Sequence, residues 1–252
     1  MLYYFSGCGN SQFIAESIAK SLGEQLVFIP AAERESRFNY DLADGERVGF
    51  VFPTYSWRPP QLVMDFVKKL HFSRQPEYVW MAITCGGNVG VADEVFAKQL
   101  LEVGLKLDAA FCFVMPNTYV NMAGMSIDNP AKAKRKIHRV KSQLPDVIGS
   151  ITERKTVWDM RRGAFPRFKT NVIGKSFDKW VTDKPFHTTD ACISCGKCVE
   201  VCPLQNITLY DGRPHWHGNC INCEACYHHC PTNAIQFGNA TKGKGQYYFG
   251  KE

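Results

Sequence analysis

No apolar run in the 252 residues approaches the roughly 20 positions that a membrane-crossing helix needs. Nor is there a basic and then apolar leader ahead of a small-residue cleavage site; Met1-Leu2-Tyr3-Tyr4-Phe5 has the composition of a strand. Cysteine is sparse over the first three-quarters of the chain, where only Cys8, Cys85 and Cys112 occur. That distribution excludes the disulfide-stapled scaffold of a small secreted domain, and a reducing, cytoplasmic setting is expected. No constellation of acid, base and nucleophile marks a chemical substrate. His71, His138, His187, His215 and His217 read as surface or packing residues, each without a partner in the pattern. What remains is a chain of ordinary globular composition, 45% apolar and long enough for two domains.

The formal charge of +6 is unevenly spread. Residues 1–130 carry 10 basic and 14 acidic side chains, residues 131–185 carry 15 and 5, and residues 186–252 carry 5 of each. The basicity therefore belongs to one middle segment. Its aromatics, Trp158, Phe165, Phe168, Phe177 and Trp180, form no base-stacking platform, so nucleic acid is not an expected partner. They are too many for a free linker, and residues 146–185 are expected to pack where two domains meet.

Ahead of that segment, short apolar strands alternate with helical patterns. Strands are expected at Leu2–Phe5, Leu26–Ile29, Arg47–Phe52, Tyr78–Thr84 and Ala109–Met115, with helices at Ser11–Leu22, Leu62–Leu70 and Val91–Val103. Continuous apolar strands separated by helices predict a doubly wound, five-stranded parallel α/β sheet over residues 1–145. A last helix is expected at Pro130–Leu144, with a solvated basic face of Lys132, Lys134, Arg135, Lys136, Arg139 and Lys141. Ligand sites in such sheets lie beyond the C-terminal strand ends, which directs attention to the segments after Phe5, Phe52, Thr84 and Met115.

The remaining eight cysteines fall in two runs, Cys192, Cys195, Cys198, Cys202 and Cys220, Cys223, Cys226, Cys230. Pro203 and Pro231 close them, and the second run repeats the first at an offset of 28 residues. The offset carries Ile207 onto Ile235 and Leu209 onto Phe237, so each repeat reads as a cysteine loop, a short helical turn and a strand. Paired four-cysteine zinc sites share the Cys-x2-Cys element but do not call for two complete copies with a proline after each. The stretch 186–252 resembles the bacterial two-cluster ferredoxin domain. The resemblance implies a small α+β domain with two [4Fe–4S] clusters and an exchange of ligands between the runs. Cys192, Cys195, Cys198 and Cys230 would hold cluster 1, and Cys220, Cys223, Cys226 and Cys202 cluster 2. Gly196 frees the backbone of the first loop, a freedom its counterpart Glu224 lacks, while His228 and His229 are expected to be exposed on a short helix.

At the other end, Ser6, Gly7, Cys8, Gly9, Asn10 and Ser11 lie between the first strand and the first helix. Hydroxyls, glycines and a helix start make an anion site. The loop lacks a Walker lysine and is not a Gly-x-Gly-x-x-Gly motif. Residues 1–145 resemble the flavodoxin family, whose sheet order is 2-1-3-4-5 and whose phosphate loop matches Ser6–Ser11 with Cys8 in place of the usual threonine. The resemblance implies FMN. It places the flavin ring between Pro53, Thr54, Tyr55, Ser56 and Trp57 on one side and Thr84, Cys85, Gly86, Gly87, Asn88 and Gly90 on another. Tyr55 or Trp57 would stack on the ring, Trp57 being equally suited to anchor the C-terminal domain, and Asn117 and Tyr119 would cover the ring's outer side. Cys85 reads as a buried, inert thiol.

Together the halves resemble flavodoxin-like proteins fused to a two-cluster ferredoxin domain. That implies anaerobic electron transfer between FMN and the clusters, to or from a redox partner. An acidic electron carrier docking on 131–185 would suit the charge. Two rival expectations stand beside it: a flavin-dependent reductase of a small substrate fed through the clusters, and an iron–sulfur interaction protein whose flavodoxin-like half has no FMN.

Overall fold

The computed structural model describes residues 1–177 and 179–251. Its larger unit is built on β1 (Leu2–Tyr4), α1 (Asn10–Leu22), β2 (Leu26–Phe28), β3 (Arg47–Pro53), α2 (Gln61–Lys69), β4 (Tyr78–Cys85), α3 (Ala92–Glu102), β5 (Ala109–Val114), α4 (Pro130–Thr152) and β6 (Trp158–Asp159). The strands are parallel in the order β2-β1-β3-β4-β5-β6. The first five follow the flavodoxin-like order expected; the sixth was not expected. β6 pairs with β5 through Ala110 and Phe111 over only two residues, too short a run to register as a strand in the sequence.

All eight residues of β4 are buried, because helices cover both faces of the sheet. One face packs Tyr3, Phe50, Phe52 and Met81 against Phe66 of α2 and Phe96 of α3. The other packs Leu2, Val51, Trp80 and Phe111 against Ile14 and Ile18 of α1 and Val140 and Leu144 of α4. Gly49 is required there. A Cβ at that position would stand 2.3 Å from the Trp80 ring.

α4 does not stop at Leu144 as expected but runs through Pro145 to Thr152. Residue 145, placed as a domain boundary from the sequence, thus lies inside a helix. Proline removes one helical hydrogen bond and crowds the carbonyl four residues back, but Pro145 and Lys141 both lie on the exposed side of the helix. The buried stripe Val140, Leu144, Val147 and Ile151 continues unbroken beneath, and its packing outweighs the local penalty. At the other end Asn129 caps the helix by accepting from the Lys132 amide at 2.9 Å, with Pro130 at the first helical position.

The segment after β6 lies against the sheet domain. Arg162 makes a two-pronged pair with Asp93, itself fully buried, at 2.5 and 2.8 Å. Helical pieces Pro166–Phe168 and Lys175–Phe177 flank a wider π-helical turn, Lys169–Gly174. Inside that turn the buried Thr170 hydroxyl accepts from the Val91 amide at 2.9 Å and donates to the Trp57 carbonyl at 3.1 Å.

The smaller unit comprises β7 (Phe186–Thr188), α5 (Lys197–Glu200), β8 (Ile207–Tyr210), β9 (Arg213–Trp216), α6 (Ala225–His228) and β10 (Ile235–Phe237). β7 pairs with β10 and β8 with β9, both antiparallel. The 28-residue repeat is visible in the backbone itself. Ser194 and Asn222 have φ of 57° and 51°, Gly196 and Glu224 74° and 60°, and Gln205 and Asn233 51° and 52°. Glu224, expected to lack the freedom of Gly196, therefore adopts the same left-handed conformation. Val120 and Ile127 of the larger unit pack into the core of the smaller one beside Phe186, Ile207, Tyr227 and Ile235.

Candidate functional site

A cavity of about 1220 Å³ lies at the C-terminal ends of the sheet strands, between the two units. Ser6, Gly7, Cys8, Asn10 and Ser11 line it, as do Pro53–Trp57, Thr84–Asn88, Asn117 and Tyr119. The structure thus brings together the four loops singled out from the sequence. Gly9 and Gly90 stand apart from the lining. Gly9 faces Phe249, and Gly90 abuts Thr170, where a Cβ would be 2.3 Å from the hydroxyl.

The loop after β1 turns into α1 through Gly9 at φ 85°. Among the described residues, Phe13 is the first of this turn whose amide finds a protein acceptor, the Gly9 carbonyl at 2.9 Å. The preceding amides form the positive end of a helix beside the cavity. Ser11 and Thr84 share a 2.7 Å hydroxyl contact that ties this loop to the end of β4. At Gly87 a Cβ would meet no atom within 4 Å, whereas at Gly86 it would come within 2.7 Å of the Asn117 carboxamide. The wall at Gly87 is bare backbone open to a ligand. These features fit an anionic, flat, hydrogen-bonding group such as FMN.

Ser56 and Trp57 both have positive φ, 46° and 61°, in a tight turn closed by reciprocal backbone bonds between Tyr55 and Arg58. Left-handed geometry costs roughly 1–2 kcal/mol per non-glycine residue. The segment 166–177 holds the turn in place. Gly174 packs against the Ser56 carbonyl, and the Lys169 ammonium sits 5.5 Å from the centre of the Trp57 ring. Trp57 is therefore engaged by the connecting segment. Tyr55 faces the edge of Phe5 at 6.1 Å, and burial beside Cys223, Cys8 and Glu224 pushes its hydroxyl well above the usual tyrosine range.

Cys85 and Cys112 touch, sulfur to sulfur, at 3.7 Å. Cys112 is opposite Ile83 and Cys85 opposite Val114. That offset separates their Cα atoms by about 8 Å, from strand spacing and rise, beyond the reach of a disulfide. The contact is a non-bonded one between two buried thiols.

On its far side the same cavity is lined by Asn222, Cys223 and Glu224. Gly7 presses directly on this cysteine loop, since a Cβ there would stand 2.8 Å from both Cys223 Cβ and its carbonyl oxygen. The Cys8 thiol donates to that carbonyl at 3.4 Å. The C-terminal tail closes the other side, with the Phe249 amide donating to the Cys8 carbonyl at 2.8 Å and its ring stacked on Phe13 at 4.3 Å.

Cys192, Cys195, Cys198 and Cys230 line a small void of about 20 Å³. Burial pushes the Cys198 thiol up to about 11, with Cys195 and Cys230 adding to it. Cys220, likewise at about 11 through burial, has Cys202 among the neighbours that raise it, and so do Cys223 and Cys226. Cys202 thus sits with the second run and Cys230 with the first. Amides of Asn206 and Ala234, again 28 residues apart, donate to Sγ of Cys202 and Cys230 at 3.3 and 3.2 Å. Among the described residues, no three Cys, His, Asp or Glu side chains are grouped so as to hold a metal ion.

Residues 191–235 match the family model of the 4Fe-4S dicluster domain. The chain joins an iron–sulfur motif to a flavodoxin-like sheet. No curated protein matches its sequence significantly. Similar solved structures include a putative flavoprotein from Bacteroides uniformis, at 13% identity over 45% of this chain and 88% of that one, TM-score 0.35. Another is the Trp repressor binding protein from Bacillus subtilis, at 12% identity over 57% and 95%, TM-score 0.36. A third is a flavodoxin from Streptococcus pneumonia TIGR4, at 14% identity over 58% and 97%, TM-score 0.32.

Two polar clusters that organise the junction were not foreseen from the iron–sulfur and flavodoxin-like patterns. Lys136, expected on the solvated face of α4, turns inward and donates to the Gly86 and Met115 carbonyls at 2.6 and 3.2 Å and to Asp128 at 2.5 Å. Asp128 also accepts from the Asn117 amide at 3.0 Å, so one ion pair ties the loops after β4 and β5 together. Burial raises the Asp128 carboxyl, but bonds from Lys132, Lys136 and Asn117 outweigh it and hold the group below the usual range.

The second cluster corrects the expectation for His228, which is fully buried. Its Nε2 stands 2.6 Å from the Thr118 carbonyl, and its Nδ1 accepts from the Tyr247 amide at 3.1 Å, which assigns the proton to Nε2. Glu224, one turn earlier, accepts from the amides of Val120 and Asn121 at 2.9 and 3.2 Å. Burial raises its carboxyl, opposed by His228 and those amides. Both partners lie over a hundred residues away, which is why no local pattern announced them.

Proposed function

We propose that this protein relays electrons between FMN in the large cavity and two [4Fe–4S] clusters in the C-terminal unit. The observation that carries the reading is Cys223: it lines the cavity formed by the four sheet-end loops and touches Gly7 of the anion loop. A centre ligated there would stand beside the flavin with no intervening protein layer.

The fit rests on this chain's own groups. Ser6, Asn10, Ser11 and the α1 amides suit a phosphate, and Thr54, Gly86 and Gly87 present polar edges and bare backbone to a ring. Tyr55 provides an aromatic face. Cys192, Cys195, Cys198 and Cys230 would hold one cluster and Cys220, Cys223, Cys226 and Cys202 the other. Burial raises the thiols of Cys198, Cys220, Cys223 and Cys226, so a bound cation would be needed to stabilise those thiolates. Flavin exchanges one or two electrons and each cluster exchanges one, which makes their union a converter between the two kinds of donor. Glu224 and His228 fix the position of the second cysteine loop against the cavity. A redox partner, an acidic carrier, fits the outer face of α4, where Lys134, Arg135, Arg139 and Lys141 are exposed.

A second reading, a reductase of a small molecule, is favoured by the size of the cavity. Its 1220 Å³ exceeds the roughly 300–1,000 Å³ of ordinary ligand pockets. The test is anaerobic purification after iron–sulfur reconstitution, with iron, sulfide and flavin quantified. About eight irons and one FMN per chain support the relay. Eight irons without flavin, even after FMN is added, replace it with an iron–sulfur interaction protein.

A further inference from the structure

The connecting segment is inverted relative to an ordinary amphipathic helix. Its inward positions are the small or polar Thr170 and Gly174, both buried, while Phe168 and Val172 are 57% and 54% exposed. Phe165 and Trp180 stand out further, at 78% and 74% exposed. A soluble surface carries single exposed apolar residues freely, but a run of large ones on a rigid element marks a contact site. This element is rigid where it matters, pinned by Arg162 to Asp93 and by Thr170 to two backbone groups.

The charges between these side chains identify the occupant. Residues 161–184 contain seven Lys or Arg and two Asp. Arg167, Lys175, Lys179 and Lys184 are exposed, and Asp183 is buried, accepting from the Asn206 side chain and the Gly218 amide. Aromatic side chains alternating with cations on one short segment match the two layers of a lipid interface. Phe and Trp enter the acyl boundary, and lysine and arginine stems reach back to anionic headgroups. Ile173 and Trp180 also line the large cavity.

We propose that the segment 161–184 seats this protein on the surface of an anionic phospholipid bilayer, as a peripheral contact that does not span it. The assignment stands on the exposed face alone and is independent of whether FMN is bound.

Vesicle co-sedimentation with the full, cluster-loaded chain tests it. Two vesicle preparations are used, phosphatidylcholine alone and an equal mixture with phosphatidylglycerol. The expected result is sedimentation with the anionic vesicles only, reversed by high salt. Phe165→Ser with Phe168→Ser should lower the partition at least about tenfold through lost apolar burial. Lys175→Glu with Lys179→Glu should abolish it without touching an apolar side chain. Absence of binding to anionic vesicles, or binding that both double variants leave unchanged, overturns the proposal. So does a dimer in light scattering that the phenylalanine variant dissociates, because the face would then belong to a second copy of the chain.

Discussion

Replacing Gly7 by alanine adds one methyl group at the contact on which the proposed relay depends. Gly7 does not need positive φ, so the substitution leaves the backbone conformation permitted and acts through space alone. The new Cβ would lie 2.8 Å from Cys223 Cβ and 2.8 Å from its carbonyl oxygen. Neither neighbour is the free end of a flexible side chain, so the cysteine loop or the anion loop has to shift. Overpacking of this kind costs about 1–3 kcal/mol. In a chain of this length each kcal/mol moves the melting temperature by roughly 2–4 °C, so a fall of about 2–12 °C is expected. The same shift would move Cys223 away from the cavity and slow electron exchange between flavin and clusters. Gly87→Ala is the matched control. It has no neighbour within 4 Å and should leave the melting temperature in place while intruding on the wall of the proposed flavin site. Differential scanning calorimetry under anaerobic conditions reads the first effect and stopped-flow absorbance the second. A Gly7→Ala protein that melts with the wild type and transfers electrons at the same rate would refute the packing argument.

The other predictions concern the polar links between segments. Arg162→Ala leaves the buried Asp93 carboxylate without its two-pronged partner, which is about one-third exposed. A loss of roughly 3 kcal/mol in urea unfolding is expected, at the lower end for a broken buried pair, with faster proteolysis between residues 160 and 180. Asp128 has its carboxyl held below the ordinary value by Lys132, Lys136 and the Asn117 amide. Its contribution to stability is therefore complete above the unfolded carboxylate value near 4 and is lost as pH falls through the lowered folded value. The difference in stability between wild type and Asp128→Asn should shrink over that acid range; a difference independent of pH would count against the ion pair. Glu224→Ala removes the acceptor for two amides and is expected to cost about 2–4 kcal/mol. Glu224→Gly should cost about 1 kcal/mol less, because glycine relieves the left-handed backbone. Equal losses for the two variants would show that the backbone conformation there carries no strain.

The strand ends show how the readable part of the sequence differs from the rest. Phe5, Phe52, Thr84 and Met115 were legible as the last residues of apolar runs, and a parallel sheet places its site just beyond such ends. The cysteine repeat was legible for a similar reason. Ligand spacing and the 28-residue offset are local properties, and the offset reappears in φ at Ser194 and Asn222. By contrast, Lys136 looked like one of six cations on a helix face. Only the approach of the Gly86 loop made it the inward one. The helix expected to end at Leu144 runs on through Pro145 because the buried stripe Val140, Leu144, Val147 and Ile151 continues beneath it, a packing term that local pattern does not count.

By itself, then, the sequence determined the doubly wound sheet, the four loops at its edge and the two cysteine runs, since each follows from periodicity or spacing within a few residues. Tertiary structure alone decided that the cysteine loop at Cys223 closes the cavity of the sheet. It also decided that Glu224 caps a loop a hundred positions away, and that Phe165 and Phe168 face outward while Phe177 packs on Tyr119 beside the cavity. Those outcomes depend on which surfaces meet when two units fold together, and burial is settled by that meeting and not by the order of residues along the chain.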